Sequence, residues 1–220
     1  MVKSPEEYFQ DQEFHAEAGN AKGDFTSAER AFMQKYLGVD ENDILRKMGI
    51  KPGQAALVDA AEAASAGESL DAIIRDEPEL QMVAFFLGNQ EYTVPTLAVQ
   101  EVIKFSQPTK LPAAPAYVAG IINLRGRVTP LVRLRDLLEI PATESSTDHF
   151  IVVCRRRGLQ LGLMIERVHT MYRVPQERID WAVESHLGIN VDYISGLLKA
   201  DDRLVGIVSV DRIVDTVLQR

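Results

Sequence analysis

Catalysis needs nucleophiles, acids, bases or metal ligands in convergent sets, and few residues of this chain have the type and spacing for one. The four histidines, His15, His149, His169 and His186, are scattered and share no metal-ligand spacing, so each reads as structural or superficial. The single thiol, Cys154, lies in an apolar strand-like run and reads as a small buried hydrophobe. Asp201-Asp202 falls where a hairpin turn is expected, and two acids alone make no cation site. Neither a Gly-rich phosphate loop nor G-x-G-x-x-G is present, and His15 with Lys22-Gly23 lacks the close spacing of a phosphotransfer helix. The expectation is a protein that is not an enzyme and holds neither cofactor nor metal.

The remaining concentrated chemistry is positive charge: Arg125, Arg127, Arg133 and Arg135, then Arg155-Arg156-Arg157. Nucleic-acid recognition by a barrel face would interleave such residues with stacking aromatics, and none stands nearby in sequence. Most of these arginines read as solvated strand and turn positions. A double-barrel nucleic-acid binder remains the rival reading from another class.

The elements that carry these residues fall into two segments of different character. Of 220 residues, 46% are apolar, and 24 Lys+Arg stand against 32 Asp+Glu for a formal net charge of −8. Residues 1–80 hold 8 basic and 17 acidic side chains, whereas residues 81–220 hold 16 and 15, so the acidity belongs to the first segment and the second is nearly neutral. Neither balance invites a polyanionic partner. No apolar run reaches the length of a membrane span and the N-terminus lacks a signal-peptide core, which predicts a soluble, intracellular protein.

The first segment reads as a helical, partly disordered extension. Thr26-Ser27-Ala28-Glu29 has capping-box spacing, so a helix should start there, carry Phe32, Met33, Tyr36 and Leu37, and stop at Gly38. A second helix is expected from Asp40 to Gly49 with Ile44, Leu45 and Met48 as its stripe, then an Ala-rich stretch over 54–66 and a short apolar turn at Leu70, Ile73 and Ile74. Residues 1–25, with Tyr8, Phe9, Phe14 and Phe25, read as an arm that docks a partner or solubilises the chain. So little large apolar area is marginal alone.

From residue 81 the pattern turns to short apolar runs punctuated by Gly and Pro. Strands are expected at Met82 to Leu87, Val99 to Phe105, Gly120 to Leu124, Phe150 to Cys154 and Leu204 to Val208. Leu159, Leu161, Leu163 and Ile165 alternate with Gln160, Gly162 and Met164, as in a strand with one face turned to a core. Pro130 predicts an edge or a bend. Sliding this segment against itself places Tyr117 to Ile122 on Tyr193 to Leu198, and the match continues ungapped through Arg127-Val128 on Arg203-Leu204 and Leu137-Leu138 on Ile213-Val214. Each half also opens with a hairpin. Two small barrels sharing an interface follow, over 81–146 and 147–220 with a terminal helix crossing back, because closure removes exposed sheet edges.

The run Gly120-Ile121-Ile122-Asn123-Leu124-Arg125-Gly126-Arg127-Val128-Thr129-Pro130-Leu131-Val132 resembles the signature of the CheW family of bacterial chemotaxis adaptors. The resemblance extends from Val83 to the C-terminus, through Val99-Gln100-Glu101-Val102, Ile165-Glu166-Arg167-Val168 and Tyr193-Ile194-Ser195-Gly196. It implies a mainly β fold of two five-stranded SH3-like barrels side by side, and a cytoplasmic scaffold recruited to membrane-associated receptor arrays without inserting into the membrane. It further implies two partners, the cytoplasmic hairpin of a chemoreceptor and the regulatory domain of a CheA-type histidine kinase, and no nucleic acid. Val99, Glu101, Arg125, Gly162, Val168 and Met171 match positions of the receptor groove between the barrels, with Gly162 allowing close backbone approach and Arg125 and Glu101 forming a charged pair. No kinase-contact residue can be placed. A purely structural ion pair is the other reading of Arg125, and barrel core the other reading of the valines. Arg133 stands where the family often carries an acid, and Glu166-Arg167 replaces an Asp-Gly turn. The acidic extension departs from the minimal family plan, which leaves room for a dedicated partner, a pathway other than flagellar chemotaxis, or an arm that folds back over the arginines.

Overall fold

The computed structural model describes residues 26–37, 68–111, 114–142, 147–182, 190–200 and 203–218. The arm over 1–25, the stop at Gly38, the helix expected from Asp40 to Gly49, the Ala-rich 54–66, His186 and the turn at Asp201-Asp202 lie outside them. The elements are α1 (Ser27–Leu37), α2 (Leu70–Asp76), β1 (Glu79–Leu87), β2 (Gln90–Pro95), β3 (Val99–Lys104), β4 (Val118–Leu124), β5 (Arg127–Arg133), α3 (Leu134–Leu137), β6 (Phe150–Arg156), β7 (Leu159–Ile165), β8 (Arg167–Pro175), β9 (Ile179–Asp180), β10 (Ile194–Ala200), β11 (Arg203–Val208) and α4 (Val210–Leu218).

The strands form two sheets, a six-stranded one in the order β8-β1-β2-β11-β10-β9 and a five-stranded one in the order β3-β6-β7-β5-β4. The sequence repeat is real in space, since β4, β5 and α3 map onto β10, β11 and α4 with the same register shift at Gly120 and Gly196. The sheets do not divide at 146/147, however. The opening hairpins are exchanged: β1 and β2 of the first half join β10 and β11, whereas β6 and β7 of the second half join β4 and β5. The exchange follows from parallel pairing of β2 with β11 and of β7 with β5, which a strand can make only with a partner reached by a long crossover. The hairpins and the strands that flank them correspond at a second, shorter offset: Val99, opposite Cys154, matches Val168, opposite Phe85, and Val102 matches Met171.

Each sheet closes through the chain that follows its long edge strand. After β3, Thr109 bends round to exchange backbone hydrogen bonds of 2.8 and 2.9 Å with Ile121 on β4. A Cβ at Gly120, whose φ is +144°, would stand 2.3 Å from the Thr109 carbonyl oxygen, so this closure requires glycine. After β8, the chain does the same as β9 against β10.

Closure explains two departures from expectation. β7 is buried on both faces, not one: Leu161, Leu163 and Ile165 join the main core, while Met164 joins a smaller cluster with Ala119, Ile122, Leu131, Ile151 and Val153 on the other face. Pro130 sits in β5, an interior strand and not an edge; its missing N–H is tolerated because the ladder to β7 begins one residue later, at Leu131.

The N-terminal helices are part of this body. The capping box forms as predicted, with Glu29 N–H donating to Thr26 Oγ1 and Thr26 N–H to Glu29 Oε2. Phe32, Met33, Tyr36, Leu70 and Ile74 are buried in the same core as both sheets, so no structural boundary separates them from the strands. Together α1 and α2 clasp α4 at its two ends. Lys35 Nζ and the Tyr36 hydroxyl both donate to the Val217 carbonyl, which complements the negative end of the helix, while the Asp211 carboxylate accepts from Leu70 N–H and Arg156.

Glu166, which replaces the expected turn, ties the barrels together. Its amide donates to Phe86 O, and its carboxylate accepts Gly88 N–H and pairs with Arg135. Cys154 is fully buried, and burial pushes its thiol up to about 12.

Candidate functional site

Arg125 and Gly126 are the central residues of the β4–β5 turn, at φ +52° and +82°, the left-handed pair that matches the twist of a tight hairpin. Asn123 Oδ1 accepts the Gly126 N–H at 3.0 Å and holds the turn from below. Thus presented, the Arg125 guanidinium donates to Glu101 Oε2 at 2.8 Å, and Glu101 lies on β3. Since β3 and β4 are the two ends of the five-stranded sheet, this pair straddles the seam of the barrel. The side chains are 68% and 25% exposed. The pair is therefore a surface contact worth at most about 1 kcal/mol to the fold, not a buried strut.

The other four predicted residues divide between the barrels. Val99 and Val168 occupy equivalent places on the end strands β3 and β8 of the two sheets, each half-buried against the main core. Met171 lies further along β8, opposite Val83 and partly exposed. Gly162 is not open to a partner: a Cβ there would meet Ile151 Cγ2 at 2.5 Å and Leu131 Cδ2 at 2.6 Å. The close approach it permits is that of its own neighbours inside the barrel.

The arginines proved to be internally engaged. Arg127 meets Glu29, Arg156 and Arg157 meet Asp211, and Arg157 also meets Asp215; Arg133 donates to Ala116 O, and Arg135 to Pro141 O as well as Glu166.

Sequence reasoning missed the polar group at the mouth of the six-stranded barrel. Glu91, buried on β2, lies 2.6 Å from His169 Nδ1, accepts the Tyr172 hydroxyl at 2.9 Å and pairs with Arg203 at 3.4 Å. Its sequence signal is weak: an acid at the second position of a six-residue strand that also holds Gln90 and Thr93. An open cavity of about 530 Å³ lies at the β3–β6 edge, lined by Lys104, Phe105, Thr147, Asp148, His149 and Met164. Burial raises the Asp148 carboxyl, opposed by Arg135 and Arg133. No three His, Cys, Asp or Glu side chains among the described residues converge as a metal site.

The family model described as a CheW-like domain matches residues 81–218. The chain belongs to the CheW-like family. The chain is 34% identical over 157 residues to the chemotaxis protein CheW of Helicobacter pylori, covering 71% of this chain and 93% of that one. So long an alignment cannot fit within 81–220, hence the likeness runs into the segment before residue 81. The chemotaxis protein CheW of Bacillus subtilis is 28% identical over 138 residues, covering 61% of this chain and 86% of that one. Among solved structures, the scaffolding protein TtCheW from Thermoanaerobacter tengcongensis superposes with a TM-score of 0.54 at 28% identity, over 60% of this chain and 89% of that one. As a member of the family, the CheW-like chain is a non-catalytic coupling adaptor of chemotaxis signalling. No helix among its described residues is long and apolar enough to cross a membrane.

Proposed function

We propose that this adaptor bridges the cytoplasmic hairpin of a chemoreceptor to the regulatory domain of a CheA-type histidine kinase, within membrane-associated receptor arrays. Its mechanism is positional: two preformed surfaces occupied together raise the partners' effective concentration and bias the conformation of the kinase, with no bond made or broken. The observation that carries the receptor half is the exposed Arg125–Glu101 pair on the barrel seam, on the same edge strand as Val99, whose equivalent on the other barrel is Val168. Apolar side chains at Val99, Val168 and Met171 supply contact area, and the charged pair supplies orientation.

Size-exclusion chromatography of the chain with a receptor-hairpin fragment, a kinase regulatory domain and a labelled oligonucleotide tests this reading. The expected result is a ternary complex of the three proteins with the oligonucleotide eluting free. Co-elution with the oligonucleotide that falls steeply with salt, and with neither protein, would establish the nucleic-acid reading instead.

A further inference from the structure

The two barrels treat one arginine differently. In the six-stranded barrel, Arg203 at the start of β11 pairs with Glu91, a carboxylate of its own sheet. In the repeat that places β5 on β11, its counterpart is Arg127, at the start of β5. The counterpart of Glu91, at the offset that matches Val99 with Val168, is Gln160, which is uncharged and donates to Thr129 Oγ1. The five-stranded sheet therefore has no carboxylate at the position equivalent to Glu91. Glu29 of α1 stands in its place, with Oε1 3.3 Å from Arg127 Nη1 while Oε2 caps the helix.

Glu29 is only 1% exposed, and a carboxylate so buried requires a cationic or hydrogen-bonding partner. Its position is set from several sides: Thr26 Oγ1 donates to Gly158 O, Tyr36 and Lys35 hold Val217 O, and Phe32 and Met33 sit in the shared core. Arg127 closes the turn Leu124-Arg125-Gly126-Arg127, pairing with Leu124 across it. Arg127 and Arg125 thus belong to one four-residue turn, with Arg127 at its closing position and Arg125 reaching Glu101 from its centre.

We infer that Glu29 is a positioning residue: through Arg127 it sets the β4–β5 turn that presents Arg125, so that the N-terminal helix tunes the receptor-binding surface in cis. The turn-setting part stands on geometry alone; the tuning part rests on the proposed receptor contact of Arg125.

Two variants of the full chain test it, Glu29→Gln, which keeps the side-chain shape, and Arg127→Gln, which leaves the helix cap intact. Amide exchange is read in the β4–β5 hairpin against the β10–β11 hairpin, and the affinity for a receptor-hairpin fragment is measured with Arg125 present and with Arg125→Ala. Either variant should speed exchange at 124–127 by about threefold to tenfold without doing so in the β10–β11 hairpin, and weaken receptor binding by a similar factor only where Arg125 is present. Unchanged exchange at 124–127 in both variants, or equal acceleration in the two hairpins, overturns the turn-setting role. An equal affinity loss with and without Arg125 overturns the tuning. If Arg125→Ala alone leaves receptor affinity at the wild-type level, the Arg125 contact fails and the tuning with it, while the exchange data still decide the role of Glu29 in the turn.

Discussion

The two barrels follow one plan but satisfy their ionic groups differently. The six-stranded barrel keeps Glu91 inside its mouth, where His169, Tyr172 and Arg203 converge on it. The five-stranded barrel leaves its seam to an exposed pair, Arg125–Glu101, and borrows a carboxylate for Arg127 from a helix far away in sequence. A buried polar group is costly to orphan, whereas an exposed pair contributes little to stability and can exchange its partner for a ligand. The first arrangement suits a scaffold and the second a contact surface.

The largest effect should come from removing the helix that the five-stranded barrel borrows from. Phe32→Ala, at a side chain 1% exposed, should cost about 3 to 5 kcal/mol in a urea titration; a loss below about 1 kcal/mol would mean that the barrels stand without α1. Next, Gly162→Val should cost about 1 to 3 kcal/mol by overpacking against Ile151 and Leu131, whereas an open groove position would accept the substitution at no cost to stability. Glu91→Gln should cost about 1 to 3 kcal/mol, since the amide cannot serve His169, Tyr172 and Arg203 as a carboxylate does.

Arg125→Ala sharpens the contrast most directly. Its thermal midpoint should stay close to that of the parent, in line with a stability change within about 1 kcal/mol, while receptor-hairpin affinity falls. A fold that collapses with receptor contact otherwise intact would restore the structural reading of the pair. The smallest effect concerns Asp148. Because burial raises its carboxyl in the folded state, the folded chain holds this proton at pH values where the unfolded chain has released it. Stability should therefore decline as pH rises from the ordinary carboxylate range through the raised value, and Asp148→Asn should remove that decline in a pH series of thermal melts.

Much of the fold was legible because it is local. The capping box at Thr26 and Glu29 was visible as a short pattern. The duplication was legible because β4, β5 and α3 keep their spacing in β10, β11 and α4. The correspondence of Val99 with Val168 was hidden, since it runs at a different offset and joins elements whose sequences share only apolar character. Gly162 was misjudged for a related reason: a glycine in an alternating strand signals close approach, but only the sheet pairing with Val153 and Leu131 says what approaches.

The sequence by itself determined the helix start at Thr26, the strand-rich character after residue 80, the duplicated unit and the charged residues available for contact, because each depends on spacing within a few residues or on repetition. Only the tertiary structure decided that the opening hairpins are exchanged between the barrels, that the N-terminal helices share the core, and that Glu29 serves Arg127. Those outcomes turn on which distant strand offers a free edge and which partly buried cation stands beside a buried carboxylate, and both become defined only when the chain closes on itself.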